Sequence, residues 1–125
     1  MDRRVEIVLT LIQNDIRDNP TVKQLARLVH LSPSRFQHIF RTEINVSFAQ
    51  YVKSLKLRKA KDLLKTTFLN VKEIMATVGI NDLSHFVRDF KKAFGVTPSE
   101  YRKSKPIAEH PLISKQLRAT NGRFR

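Results

Sequence analysis

Val22-Lys23-Gln24-Leu25-Ala26 returns 49 positions later as Val71-Lys72-Glu73-Ile74-Met75. Val29 and Leu31 recur at the same offset as Val78 and Ile80, and one inserted residue then moves the offset to 50. At that spacing Phe36 pairs with Phe86, Phe40 with Phe90, Arg41 with Lys91, Val46 with Val96, Ser47 with Thr97 and Tyr51 with Tyr101. Every pair keeps its chemical type except Ala26 and Met75. An apolar skeleton shared over two stretches of about 30 residues indicates one supersecondary unit folded twice.

Each copy reads as a short helix, a tight turn and a second helix. Ahead of the first copy, Val5, Val8, Leu9, Ile12 and Ile16 predict an amphipathic helix over 2–18, closed by Asn19-Pro20. Thr21, with Gln24 three positions on, caps a second helix that buries Val22, Leu25, Ala26 and Val29 and stops near His30-Leu31. Ser32-Pro33 starts a third, over 33–43. Phe36, Ile39, Phe40 and Ile44 form one of its faces; Ser34, Gln37, His38 and Arg41 form another, free of acids. Asn45 falls where a left-handed residue ends a helix, and Ser47 caps the next.

The longest periodic segment runs from Ser47 to Lys65, with Phe48, Tyr51, Val52, Leu55, Ala60, Leu63 and Leu64 inward and Lys53, Lys56, Arg58, Lys59, Lys61 and Lys65 outside. As a helix it spans about 27 Å. A fifth helix over 71–78 buries Val71, Ile74, Met75 and Val78 and ends at Gly79. Asn81 or Asp82 caps a sixth over 82–94, with Leu83, Phe86, Phe90, Ala93 and Phe94 inward. Thr97-Pro98 opens a last short helix containing Tyr101. The expected fold is all-α, with about seven helices: helix-turn-helix subdomains over 1–46 and 66–103, a linker helix over 47–65, and a basic, disordered tail over 104–125.

At 125 residues there is room for one compact domain or two small ones sharing a helix. Lys and Arg number 24 against 11 Asp and Glu, giving +13, of which the tail holds +4 and residues 1–103 the other +9. Such an excess suits a polyanion, an anionic surface, or mere solubility. A membrane is disfavoured, because no apolar run approaches the roughly 20 residues a spanning helix needs. The start, Met1-Asp2-Arg3-Arg4, leads into a stretch broken by Glu6, Gln13, Asn14 and Asp15, so it is no signal peptide and the chain is assigned to the cytoplasm. Without Cys, thiol chemistry and Cys-based zinc sites are excluded. Three Gly leave no phosphate loop, and no acidic pair lies in an apolar setting, so no catalysis and no cofactor are expected. His38 and His85 invite a metal, but they belong to different units and lack partner ligands.

Amphipathic helices with basic exteriors also occur in ordinary bundles, so a protein-docking bundle stays open as an alternative. RNA binding is less supported, since no aromatic stacking platform is visible. Two units with acid-free outer faces in so basic a chain favour major-groove entry into duplex DNA.

Leu25-Ala26, Leu31-Ser32, Phe36, Phe40-Arg41, Tyr51, the run Leu57-Arg58-Lys59-Ala60-Lys61-Asp62-Leu63-Leu64, Ile74, Val78-Gly79 and the continuous stretch Phe86 to Arg102 resemble the DNA-binding domain of AraC/XylS-family transcription regulators. The resemblance covers about residues 5–103. It implies a bacterial regulator whose third and sixth helices enter successive major grooves on one side of the DNA. Met75 stands where the family usually has a small residue, Ile80 where it has an aromatic, and Asn45 where it has glycine. Many such regulators carry an effector-binding or dimerisation domain ahead of this one. Met1 lies about four residues before the first helix here, so that domain is absent from this chain, which is either a short stand-alone regulator or a piece of a larger one.

On the first recognition helix the candidate DNA-contacting residues are Ser34, Arg35, Gln37, His38 and Arg41; on the second they are Ser84, His85, Val87, Arg88 and Lys91. Positions match and identities differ, so the two helices are expected to read different half-sites. Gln37 suits a bidentate adenine contact, with plain solvent exposure as the alternative; Arg88 suits the guanine edge, with a surface ion pair to Asp89 or Asp82 as the alternative; and Val87 suits a thymine methyl. Arg41 and Lys91 suit phosphate. Lysines of the long helix are candidates to follow phosphates or to meet RNA polymerase, although a solvated face accounts for most of them. If six to ten phosphates are contacted, affinity for duplex DNA falls by roughly 10³- to 10⁵-fold between 50 and 200 mM salt. Titrations at the two ionic strengths check this, and a salt-insensitive affinity would remove DNA as the partner.

Overall fold

The computed structural model describes residues 1–14 and 20–104. Seven helices follow among them: α1 (Arg3–Asn14), α2 (Val22–Leu28), α3 (Pro33–Ile44), α4 (Phe48–Thr66), α5 (Val71–Val78), α6 (Leu83–Phe94) and α7 (Pro98–Lys103). The expected continuation of the first helix to 18, with Ile16, and the expected disorder after Ser104 lie outside the described residues.

The sequence repeat is a structural repeat down to its punctuation. Thr21 and Asn70 close reciprocal capping boxes with Gln24 and Glu73, and Ser47 and Thr97 do so with Gln50 and Glu100. Ser32 and Asp82 accept the backbone N–H of Arg35 and His85 at the starts of α3 and α6. Each cap satisfies a donor that the helix would otherwise leave orphaned, at about 1 kcal/mol apiece. In the turns, His30 (φ 60°) matches Gly79 (φ 82°), and the Leu31 and Ile80 N–H groups donate to Ala26 and Met75 O at 2.8 Å each. The inserted residue is Asn81, placed between that turn and the Asp82 cap. Asn45 ends α3 at φ 71° where Gly95 ends α6 at φ 85°, so the asparagine takes the left-handed geometry expected of it.

Two cores result. The first gathers Val5, Val8, Ile12, Leu25, Ala26, Val29, Phe36, Phe40 and Phe48; the second gathers Leu57, Ala60, Leu64, Ile74, Met75, Val78, Phe86 and Phe90. Fully buried Phe40 and Phe90 occupy corresponding places in them. Phe40 meets Phe48 and Tyr51 edge-on with ring centres 5.5 and 5.6 Å apart, and Phe90 meets Phe94 and Tyr101 at 4.7 and 6.0 Å.

The long helix differs from the single apolar stripe expected of it. At 3.6 residues per turn, Leu57 comes round about half a turn from Phe48. The stripe of Phe48, Tyr51, Val52 and Leu55 therefore serves the first core, while Leu57, Ala60 and Leu64 serve the second from nearly the opposite side. Lys56, Lys61 and Lys65, expected outside, are half-buried. Lys56 Nζ donates to Gly79 O at 2.9 Å, and burial lowers its pKa. Lys61 sits over the Phe94 ring, 4.6 Å from its centre, and Lys65 over Tyr101 at 4.8 Å while donating to Ser104 O. Long aliphatic stems let these ammonium groups lie along apolar surface and still find carbonyls and ring faces.

Two further departures concern α6. Leu83 and Ala93, expected inward, are exposed: they share the face of Phe86 and Phe90, at the two ends of α6, where the second core does not extend far enough to cover them. Arg102, whose guanidinium donates to the carbonyls of Leu64, Thr67 and Leu69, pins α7 to the loop between α4 and α5. Phe40→Ala and Phe90→Ala are each expected to lower the free energy of unfolding by about 3–5 kcal/mol in a urea titration. A loss below about 1 kcal/mol would show that neither ring organises its unit.

Candidate nucleic-acid interface

A helix that reads a base edge must keep one face unburied while the other is anchored. α3 achieves this through Phe36 and Phe40, which sink into the first core, leaving Ser34, Arg35, Gln37, His38 and Arg41 exposed. In α6 the anchors are Phe86 and Phe90, and Ser84, His85, Arg88 and Lys91 are exposed while Val87 is half-buried. Thus each sequence-nominated set of five shares one helix, and nine of the ten residues are exposed.

Acids are kept off these faces. Glu43, at the end of α3, is half-buried and accepts the backbone N–H of Asp2. Asp89, the one acid within α6, is turned toward α4, where Lys53 Nζ lies 3.1 Å from its Oδ2. Arg88 Nε stands 4.0 Å from Asp89 Oδ1, at the outer limit of an ion pair, and its side chain is 69% exposed. At the start of α6, the Asp82 carboxylate accepts the His85 backbone N–H at 2.9 Å, which holds its pKa below the ordinary range, and His85 Nδ1 lies 3.7 Å from it. Both helices begin with Ser or Asp caps and end with Arg41 or with Lys91 and Lys92 in the last turn, where a cation also suits the helix dipole.

Sequence reasoning missed the pairing of Lys53 with Asp89. The available signal was helical phase: Lys53 lies on the same side of α4 as Leu57, Ala60 and Leu64. A cleft of about 580 Å³ lies between the units, lined by Thr21 and Val22 of the first, Val52 and Lys53 of α4, and Asp82, His85 and Asp89 of the second. Among the described residues no group of three or more His, Cys, Asp or Glu could hold a metal, and no helix is long and apolar enough to cross a membrane.

Residues 25–104 match the helix-turn-helix domain family. The arabinose operon regulatory protein of Escherichia coli (strain K12) is 36% identical over 103 residues, covering 82% of this chain and 35% of that protein. Among solved structures, the C-terminal domain of AraT, a response regulator from Geobacillus stearothermophilus, is similar with a TM-score of 0.75 at 30% identity, over 86% of this chain and 89% of that one. The DNA-binding domain of AdpA, solved in complex with a target DNA, gives a TM-score of 0.74 at 21% identity over 79% and 89%, a likeness of fold. The chain spans about a third or less of the length of the curated relatives it matches.

Proposed function

This chain belongs to the AraC/XylS-type helix-turn-helix family of DNA-binding transcription regulators, and from that premise we propose that it binds duplex DNA as one unit with two reading heads, α3 and α6 entering successive major grooves. The observation that carries this reading is the joining of two exposed, acid-free helix faces to opposite stripes of one continuous helix.

In this reading Gln37 offers its amide to an adenine edge, Arg88 its fork to guanine O6 and N7, and Val87 a methyl to thymine. Ser34, Arg35, His38, Ser84 and His85 supply the remaining polar contacts of the two faces. Arg41 and Lys91, further along each helix, bind phosphate and set register. Lys53, Arg58 and Lys59 remain exposed on α4, and the latter two are available to RNA polymerase. Relatives are named as operon regulatory proteins or transcriptional regulators, and the proposed work is non-catalytic, carried out in a bacterial cytoplasm. Effector and dimerisation functions would reside in sequence outside this domain.

Base reading and phosphate contact separate by mutation. Arg88→Ala is expected to cost about 1–3 kcal/mol on the preferred site and relax one base pair, whereas Lys91→Ala weakens all sequences nearly alike. Gel shifts on specific and random duplexes check this; equal losses on both for each variant would reassign Arg88.

Geometry gives the test of the whole reading. The 19 residues of α4 span about 28 Å, close to the roughly 34 Å of a DNA turn once each unit adds its width. Without Pro or Gly between Phe48 and Thr66 the linker cannot stretch. Half-sites should therefore lie about 10–10.5 base pairs apart. Inserting about five base pairs turns one half-site to the far side of the duplex, and binding falls to the level of a single half-site. A Gly-Gly insertion after Lys59 should make the protein less sensitive to spacer length. Affinity that is flat across a spacer series would mean that one unit alone reads DNA.

A further inference from the structure

Asp89 gives the second recognition helix something the first lacks, for the residue 50 positions earlier is Ile39. Its side chain is 18% exposed, and its two oxygens face two cations from different helices. Lys53 of α4 takes Oδ2 at 3.1 Å; Arg88, its own neighbour in α6, reaches Oδ1 only at 4.0 Å and only through Nε.

A carboxylate with so little water around it requires a cation. Lys53 supplies that cation from the neighbouring helix, so Arg88, set about 100° round α6 from Asp89, is left with a single loose contact and a side chain 69% exposed. Lys53 reaches this position because the twist of α4 sets it on the side that faces the second core, beside Leu57 and Ala60.

We propose that Lys53 is a specificity-determining residue: by occupying Asp89 it keeps the Arg88 guanidinium from folding back onto α6, so that the fork stays presented to the base edge. The proposal rests on the reading of Arg88 given above. Lys53 is thus a positioning residue, acting through Asp89 on Arg88. Without Lys53, Arg88 is the remaining cation paired with Asp89, its guanidinium would be drawn back toward that carboxylate, and the base preference set by Arg88 would be lost although Arg88 is still present.

The test is the base preference at every position of a preferred site, obtained by selection from random duplexes. It is measured with the full chain for wild type, Arg88→Ala, Lys53→Met, Lys53→Arg, Asp89→Asn and the double variant Lys53→Met with Asp89→Asn. Circular dichroism confirms the helices in each. Arg88→Ala should flatten the preference at one base pair by on the order of 10-fold. Lys53→Met should flatten that same base pair, while its affinity for random duplex changes far less. Asp89→Asn alone should keep the preference, since the amide cannot hold Arg88 by charge. Adding Asp89→Asn to Lys53→Met should restore the preference, and Lys53→Arg should retain it. Equal loss by Lys53→Met on all sequences would overturn the proposal in favour of a phosphate contact. Flattening that persists in the double variant would overturn it in favour of plain packing. If Arg88→Ala flattens one base pair and Lys53→Met leaves it intact, only the role of Lys53 falls; if Arg88→Ala leaves every preference intact, the reading of Arg88 falls and takes this one with it.

Discussion

The helix Phe48–Thr66 belongs to two cores at once, and that double membership constrains everything else in the molecule. Phe48 packs with Phe36 and Phe40 at one end. Leu57, Ala60 and Leu64 pack with the second core at the other. Each large buried side chain contributes about 1.5–3 kcal/mol. Rotating α4 by one residue, about 100°, would lift both stripes out of their cores together. The relative setting of the units is therefore a consequence of hydrophobic phase along one helix. Shape complementarity between the units is not needed for it, and a cleft between them is tolerated.

Local backbone chemistry completes the arrangement. The turns of the two units reach the same left-handed geometry with His30 in one and Gly79 in the other. Asn45 and Gly95 do the same at the ends of α3 and α6. Glycine reaches that region at no steric cost, and Asn and His are among the side chains that enter it most readily. Met75, standing where a small residue is usual, is 6% exposed and packs in the second core, as a flexible thioether can. Seven helices form among the described residues, as expected.

Helix starts, most core residues and the exposure of the nominated faces were legible because each rests on local rules: caps, period and repeat. What escaped was relational. A stripe drawn along α4 as one face merged two half-helices of different phase, and Leu57 disappeared into the gap between them. Lysines counted as solvent-exposed turned out to cover rings and carbonyls, since their stems are long enough to cross to the next element. Arg102 could not be read as a brace from composition, because its three carbonyl partners come from the end of α4 and the loop after it, over 30 residues away in sequence. Leu83 and Ala93 follow an apolar period, yet the core does not extend far enough to cover them.

The polar ties between α4 and its units bear on how the molecule yields under load. On the second unit, Lys53 meets Asp89, Lys56 meets Gly79 O, Lys65 meets Ser104 and Arg102 meets Leu64 O. Toward the first unit, Tyr51 Oη accepts from Gln13 Nε2 at 3.1 Å. Polar bonds are directional, so they resist rotation and sliding, whereas apolar contact alone resists mainly separation. The bonds to the second unit therefore resist sliding of its helices along the linker, and a misfit between the fixed length of α4 and the pitch of a duplex would be taken up by the DNA or where α4 meets its units.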